Sequence, residues 1–345
     1  MTSGAVTKLP PRPDALESIN ELTLQQLQAE SQGLRERLNR FRLALGRYFV
    51  DKQPLIDLMT VAAAAQEPLL LVGPPGTAKS DLVVKFKDAL GLAGTEYFEY
   101  LLTRFTEPSE ILGPIDINEL RSGRYLRREQ GKLPTARLVF LDEVFKASSA
   151  ILNSLLTVIN ERKFYQDGVP VPVRLKILFA ATNEVPEHAE LGALKDRFCL
   201  KAACRPVQET HFVELLDCGL DAQVAKDLQQ KPWVEGLAGL EDFLKAHRYL
   251  SLLMAQKEPR DRERFFRDEV LREFRRVVRT LQREDEVFVS DRKLIKLYRL
   301  LRTRAWIFHG GAVEREDLRL LSYLGETREE IDLLEEKVPR LLGLQ

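Results

Sequence analysis

The sequence is poor in the residues that build disulfide frameworks, metal clusters and membrane spans. Its 345 residues include only three cysteines and four histidines, which are scattered along the chain. An odd number of cysteines without close-pair spacing indicates reduced thiols, and scattered histidines disfavour a metal cluster or a His-based triad. No apolar run is long enough to cross a bilayer, so we expect no membrane span.

An excess of charge is also lacking, because 52 basic residues balance 52 acidic ones. A neutral chain is a poor general binder of polyanions, so nucleic acid is not the expected partner, although local basic patches remain possible.

Residues 1–17 are rich in Pro, Ser and Thr and lack the apolar stretch of a secretory signal, which predicts a flexible tail. A cytoplasmic location is therefore the expectation.

Apolar periodicity divides the remaining chain into three parts. Residues 18–47 carry apolar side chains at helical spacing and predict an N-terminal helical extension. Residues 48–205 alternate short apolar runs with helical stretches, which is typical of a parallel sheet sandwiched by helices. After Pro206 strand-like runs nearly vanish, so residues 206–345 predict a smaller all-α domain behind an α/β core. The strand candidates are residues 68–72, 97–103, 138–141, 175–182 and 198–202.

A loop with two glycines follows the first strand candidate and leads into a helix. Its residues are Gly73, Pro74, Pro75, Gly76, Thr77, Ala78, Lys79 and Ser80. Inward-pointing N–H groups of such a loop cradle the β- and γ-phosphates of a nucleotide, with Lys79 adding a charge and the Ser80 hydroxyl able to ligate Mg²⁺. Ala78 stands where glycine is usual, and a methyl group is tolerable there if φ is negative. The alternative is a chance glycine turn before a helix.

Two further strand candidates end in polar residues. Residues 138–141 run into Asp142 and Glu143, at the strand tip where an open α/β sheet presents its ligands. We expect Asp142 to hold Mg²⁺ through its water shell and Glu143 to polarise the attacking water. Asn183 ends a third strand and is predicted to contact the γ-phosphate or position water, with a turn-capping Asn as the alternative.

The order of these motifs resembles that of AAA+ ATPases, and in detail the MoxR family, whose phosphate loop typically reads Gly-Pro-Pro-Gly-x-Ala-Lys-Ser. Residues 97–198 are particularly similar to the RavA branch (regulatory ATPase variant A). The runs that carry this likeness include Phe98-Glu99-Tyr100-Leu101, Thr103-Arg104-Phe105, Gly113-Pro114 and Asn160-Glu161-Arg162. The resemblance implies ATP and Mg²⁺ as cofactors, an AAA+ core over residues 48–205 and a helical lid over residues 206–345.

The resemblance also implies roles for two arginines. Arg197 corresponds to the finger that reaches the ATP of an adjacent subunit, where a guanidinium compensates charge on the transferring phosphoryl group. A surface pair with Asp196 is the alternative. Arg292 lies in the first turn of a helix with Ser290 as the expected N-cap, and it matches the second sensor arginine, which touches the γ-phosphate from the lid. Neutralisation by Asp291 is the alternative.

The family implies a homo-oligomeric ring, expected to be a hexamer, that uses ATP to remodel a partner protein with a von Willebrand factor A domain. A slow, nucleotide-switched scaffold is the second hypothesis, and a DNA motor is disfavoured by the neutral charge.

Hairpins are predicted at an Asp-Gly turn in residues 164–170 and a Ser-Gly turn in residues 120–126. They resemble the family's two insertions near the pore, where Tyr125 or Tyr165 could grip a polypeptide, with cross-strand packing as the alternative. Residues 48–50 could border the adenine or pack in the core.

Overall fold

A five-stranded parallel sheet organises the chain, and the computed structural model describes residues 17–186 and 191–344. The predicted tail therefore lies outside the described residues up to residue 16, and Glu17 opens a short 3₁₀ helix. The strands are β1 Leu69–Val72, β2 Tyr97–Leu101, β3 Leu138–Asp142, β4 Lys163–Gln166, β5 Val169–Pro172, β6 Ile177–Thr182 and β7 Leu200–Ala203. All five predicted sheet strands are confirmed, with ends shifted by one or two residues.

Helices cover both faces of the sheet and make up most of the chain after it. They are α1 Leu24–Gly46, α2 Gln53–Ala65, α3 Lys79–Ala89, α4 Pro108–Leu112, α5 Ile117–Arg121, α6 Ser149–Glu161, α7 Gly192–Lys195, α8 Phe212–Asp227, α9 Leu240–Met254, α10 Asp261–Phe265, α11 Asp268–Glu284, α12 Asp291–His309 and α13 Arg328–Leu342. In the described part of the chain the last strand ends at Ala203. The structure thus confirms an α/β core followed by a helical region.

The sheet has the strand order β2-β3-β6-β1-β7, and every neighbouring pair is parallel. Leu69 of β1 pairs with Phe179 of β6 on one side and with Leu200 of β7 on the other. Every residue of β1, β6 and β7 is buried, as expected for strands covered on both faces. The register therefore brings the carboxyl ends of β3, β6 and β1 to one edge, side by side.

The N-terminal extension packs as part of the main core. Thr23 caps α1 through a reciprocal capping box with Gln26. Phe41 of α1 contacts Phe86 of α3 edge to face with ring centroids 5.1 Å apart, and it contacts Phe243 of α9 at 5.5 Å. One hydrophobic core therefore joins the extension, the sheet and the helical region. The domain boundary near residue 205 stays a prediction.

One predicted hairpin is confirmed, and the other forms only as a single antiparallel bridge between Ile115 and Arg127. β4 and β5 pair antiparallel around Asp167 and Gly168, which both have positive φ (50° and 73°), as a two-residue hairpin turn requires. The Ser-Gly segment itself does not pair as strands, because helix α5 extends into it and ends at Arg121, just before Ser122 and Gly123. Asp116 caps that helix by accepting hydrogen bonds from the N–H groups of Asn118 and Glu119, so these residues turn helically.

Within the described residues, no helix is long and apolar enough to cross a membrane.

Candidate functional site

The phosphate loop leaves the carboxyl end of β1 against the neighbouring strands. The Gly73 N–H donates to the Thr182 carbonyl at 3.1 Å. A β-carbon placed on Gly73 would lie 2.2 Å from the Cys204 carbonyl oxygen, so only glycine fits there. Pro74, Pro75 and Gly76 are exposed at the tip of the loop, before α3 begins at Lys79.

Ala78 adopts a left-handed conformation, with φ of 67° and ψ of 18°. The condition of a negative φ is therefore not met. An alanine in this region costs on the order of 1–2 kcal/mol relative to the right-handed region. The loop accepts this strain because it must turn sharply into the first turn of α3, and the Thr77 hydroxyl holds that turn by donating to the Pro74 carbonyl at 2.8 Å.

Lys79 is buried and its ammonium folds back onto the loop. Its Nζ donates to the carbonyl oxygens of Gly73 at 2.5 Å and Pro74 at 2.9 Å, and to Asn183 Oδ1 at 3.0 Å. Ser80 follows it in the first turn of α3 and is half-buried. A cation and a hydroxyl thus lie beside the helix N-terminus, the arrangement that suits phosphate oxygens and a magnesium ion.

Asp142 and Glu143 end β3 at the same edge. Asp142 Oδ1 accepts a hydrogen bond from the Glu143 N–H at 2.9 Å, and Glu143 takes a left-handed conformation with φ of 52°. Glu143 Oε1 accepts from the Asn183 amide and lies 3.3 Å from Lys146 Nζ. Its other oxygen, Oε2, is buried and has no hydrogen-bond partner among the described residues. Such an orphaned oxygen needs an explanation, and an acceptor for a reacting water supplies one.

Asn183 lies between the cation and the carboxylate. Its Oδ1 accepts from Lys79 and its Nδ2 donates to Glu143. The turn after β6 is closed by Thr182 instead, whose hydroxyl donates to the Glu184 carbonyl at 2.6 Å. The structure therefore supports a position in the site for Asn183 and leaves turn closure to its neighbour.

The residues at this edge fit a nucleotide with a divalent cation. The loop offers backbone N–H groups, Lys79 offers a positive charge, and Ser80 and Asp142 offer the hard oxygen ligands that Mg²⁺ prefers. Glu143 Oε2 adds a buried hydrogen-bond acceptor to which no donor among the described residues is bonded.

The two predicted arginines are brought together, but at the other edge of the sheet. Arg197 and Arg292 both line a cavity of about 880 Å³ that also includes Pro68. Pro68 precedes β1 and Arg197 precedes β7, whereas Gly73 follows β1. Pro68 and Gly73 are five positions apart along the chain, about 16 Å at roughly 3.3 Å per residue of strand. Both arginines therefore lie toward the amino end of β1, and the phosphate loop of the same chain lies at its carboxyl end.

Arg197 contacts two charged neighbours, Asp196 and Lys296. Its Nη1 lies 3.2 Å from Asp196 Oδ2, so the pair expected as the alternative does form, in a half-buried setting. Its Nε is buried and unpartnered among the described residues. Lys296 Nζ donates to the Arg197 carbonyl at 3.2 Å and pairs with Glu67 at 3.0 Å. The guanidinium thus keeps an unused donor.

Arg292 begins α12 as the sequence predicts. Ser290 Oγ accepts from the Lys293 N–H at 3.1 Å, which confirms the expected N-cap. Arg292 itself is exposed. The cavity that Arg292 lines also contains His247. Burial, and to a lesser degree the charge of Arg299, lowers the pKa of His247 to about 4.

The comparisons with known proteins agree with this geometry. The family model for the MoxR domain of MoxR-vWA-β-propeller ternary systems matches residues 36–241, more than half of the chain, and a model of the AAA lid domain matches residues 268–338. This chain belongs to the MoxR family of AAA+ ATPases.

Relatives of this MoxR-family chain are found in archaea and bacteria. It is 30% identical over 290 residues to uncharacterized protein MJ0079 of Methanocaldococcus jannaschii, covering 84% of the chain and 70% of that protein. It is 36% identical to uncharacterized protein MJ0812 of the same organism over 60% of the chain, and spans 57% of that relative's length. It is 29% identical to the chaperone MoxR1 of Mycobacterium tuberculosis, covering 48% of the chain and 43% of the relative.

The fold also matches a solved structure. A crystal structure of a candidate ATPase from Cytophaga hutchinsonii superposes with a TM-score of 0.69 at 15% identity, covering 93% of this chain and 98% of the other. At that identity the match speaks for the fold alone.

Sequence reasoning missed two residues that position Arg197. Lys296 and Glu67 connect α12, the residues before β1 and the Arg197 backbone. A signal for Lys296 was available, since it lies four residues after Arg292 and therefore on the same side of the helix. Glu67 gave no signal, because only the tertiary fold places it next to that helix.

The four predicted aromatic candidates lie in three different settings. Tyr48 and Phe49 line a cavity of about 540 Å³ beside α3, with Lys85 stacked over the Phe49 ring at 4.6 Å. Tyr165 is exposed on the β4–β5 hairpin, and Tyr125 is exposed in the segment after α5. Both pore candidates are thus free to contact a polypeptide, which stays a prediction.

Proposed function

We propose that this MoxR-family protein hydrolyses ATP in a homo-oligomeric ring, in which each site is completed by Arg197 and Arg292 of the adjacent subunit. The observation that carries the proposal is the separation of these arginines from the phosphate loop by the length of the sheet. An arginine that lies away from the phosphate loop of its own subunit contacts the phosphates bound by the adjacent subunit. A head-to-tail contact of this kind is heterologous, and it closes into a ring when the rotation permits.

Each half of the site has a distinct task in this mechanism. The loop from Gly73 to Lys79 binds the phosphates, and Ser80 and Asp142 would hold Mg²⁺, which neutralises phosphate charge when bound. Glu143 Oε2 accepts a hydrogen bond from the attacking water and polarises it, while Asn183 keeps that carboxylate oriented. The partner's arginines stabilise charge that develops on the transferring phosphoryl group.

The ATP cycle would serve to remodel a partner protein. The matching family model is defined by systems that contain a von Willebrand factor A protein, and one relative is named a chaperone. We infer a von Willebrand factor A domain as the partner and a hexamer as the assembly, working in the cytoplasm. The likeness of residues 97–198 to the RavA branch remains an inference from those residues.

Mixing two inactive variants tests the shared site. Arg197→Ala keeps its phosphate loop and Lys79→Ala keeps its finger, so an interface between them contains one complete site. We expect each variant to lose at least about 10³-fold in ATPase rate, and an equimolar mixture to recover up to about a quarter of the wild-type rate. Arg272→Ala, an exposed arginine of α11, is the matched control and should stay active.

Two results would contradict the proposal. A mixture that stays inactive, together with wild-type hydrolysis that does not depend on protein concentration, excludes a site completed in trans. A wild-type protein that assembles with ATP but turns over no faster than Glu143→Gln would instead be a nucleotide-switched scaffold.

A further inference from the structure

Helix α8 exposes its apolar side chains to solvent. Val213, Leu216, Leu220 and Val224 lie three or four residues apart and so form one stripe, and Val213 and Leu220 are 68% and 64% exposed. Ala225 is the one residue of α8 that is buried. A surface helix normally turns such a stripe toward the core, so an exposed stripe marks a surface for another molecule.

The stripe lies beside the phosphate-binding helix. Cys218 and Ala222 of α8 line the same cavity as Lys85 of α3, which is less than two turns beyond Lys79. The stripe is on the opposite side of α8 from these two residues. The stripe therefore faces away from this cavity and toward solvent.

The surface around Arg292 has features that match the α8 stripe. Phe288 and Ile295, on either side of Arg292 in sequence, are 67% and 66% exposed, and Ile295 lines the arginine cavity itself. The charges are complementary as well. The acidic residues of α8 are Glu214, Asp217, Asp221 and Asp227, against one lysine, Lys226, whereas the basic residues lining the arginine cavity include Arg162, Arg197, Arg292, Lys296 and Arg299.

We propose that the α8 stripe docks on the Phe288–Ile295 surface of the next copy of this chain. The inference rests on the proposed ring, and it names the apolar contact that brings Arg292 to the neighbouring phosphate loop. Burial of the apolar side chains stabilises the contact. Attraction between the acidic residues of α8 and the basic residues of the arginine cavity orients one copy relative to the next. A second copy is favoured over another protein because both complementary surfaces occur on this chain, each next to one half of the same site.

Disulfide trapping tests the contact directly. Leu220→Cys with Ile295→Cys, in a Cys218→Ser background, should form intermolecular disulfides under mild oxidation with a non-hydrolysable ATP analogue. The expected product is a ladder of covalent oligomers. The matched pair, Leu220→Cys with Leu333→Cys, places the second cysteine on the exposed face of α13 and should give no ladder.

A second variant measures the energetic role of the stripe. Leu220→Asp changes an exposed side chain, so the melting temperature and ATP binding should stay as in wild type. We expect the protein concentration that gives half-maximal ATPase activity to rise at least about tenfold. Leu333→Ser, also exposed, should leave that concentration unchanged.

The outcomes separate this inference from the function on which it rests. If the Arg197→Ala and Lys79→Ala mixture recovers activity while the ladder is missing and Leu220→Asp assembles normally, the α8 contact is wrong and the shared site stands. If the mixture also stays inactive, the shared site itself fails. If Leu220→Asp assembles normally but no longer binds a von Willebrand factor A partner, the stripe docks that partner and the inference is overturned.

Discussion

Asn183 connects Lys79 to Glu143 through the two ends of one side-chain amide. Its oxygen accepts from the lysine at 3.0 Å, and its nitrogen donates to the carboxylate. The connection joins the cation proposed to bind phosphate to the carboxylate proposed to face the attacking water. The parallel register makes this possible, because β6 lies between β1 and β3.

Replacing Asn183 should slow hydrolysis more than it weakens nucleotide binding. Asn183→Ala removes the donor that orients Glu143, and Asn183→Asp keeps the size but exchanges that donor for an acceptor. We expect both to lower kcat by about 10–100-fold while KM for ATP changes less, because orientation matters mainly in the transition state. Steady-state kinetics measures this, with the exposed Asn153→Ala as control. A higher KM at unchanged kcat would contradict the assignment.

Removing Lys296 should impair the finger without touching the phosphate loop. Lys296→Met keeps the apolar stem but loses the hydrogen bond to the Arg197 carbonyl and the ion pair with Glu67. We expect about a tenfold lower kcat in the assembled protein, since a small misplacement of a catalytic group is costly. Affinity for ATP, measured with a fluorescent analogue, should be unchanged. Lys245→Met breaks ion pairs with the exposed Glu30 and Glu241 and serves as control; equal rates for both variants would exclude this role.

Mild acid should destabilise the fold through His247. Burial lowers its pKa from 6.5 to about 4 in the folded protein. Between these values the unfolded chain binds a proton that the folded chain does not, so the free energy of unfolding decreases as pH falls. The slope approaches about 1.4 kcal/mol per pH unit. Urea unfolding at several pH values measures it, and His247→Gln should remove this part of the slope; a variant with the full slope would show that other groups cause it.

Glu326 should be needed to stabilise two buried lysines. Its carboxylate pairs with Lys201 at 3.1 Å and with Lys293, and both lysine side chains are fully buried. Glu326→Gln leaves two buried cations without a counter-charge, which should lower the free energy of unfolding by about 3–5 kcal/mol. Denaturant unfolding measures the loss, and the exposed Glu329→Gln is the control.

The pH dependence of that loss gives a second check. Burial lowers the pKa of Lys201 from 10.5 to about 8. Above pH 8 the folded lysine releases its proton while the unfolded one keeps it until about pH 10.5, so stability rises with pH in this window. Part of the loss in Glu326→Gln should therefore be recovered at high pH. A loss independent of pH would point to altered packing instead.

Local patterns predicted the parts of the site that are contiguous in sequence. The phosphate loop, the strand before Asp142 and the cap at Ser290 depend on neighbouring residues, whose spacing can be read directly. Two local features differ from what the residue types suggest. Ala78 has a positive φ because the turn into α3 demands it, and helix α5, capped by Asp116, extends into the segment where a Ser-Gly turn suggested a hairpin. In both places local hydrogen bonding decided between conformations that the residue types alone leave open.

The sequence by itself determined the family, the α/β core with its helical region, and the identity of the residues that follow each strand. It could not place Arg197 and Arg292 relative to the phosphate loop, because that depends on which end of the parallel sheet each one occupies. The tertiary structure decided it through strand register, which places both arginines in a cavity at the amino end of β1, whereas the loop leaves its carboxyl end. Packing also exposed the α8 stripe, whose apolar spacing by itself resembles that of any buried helix.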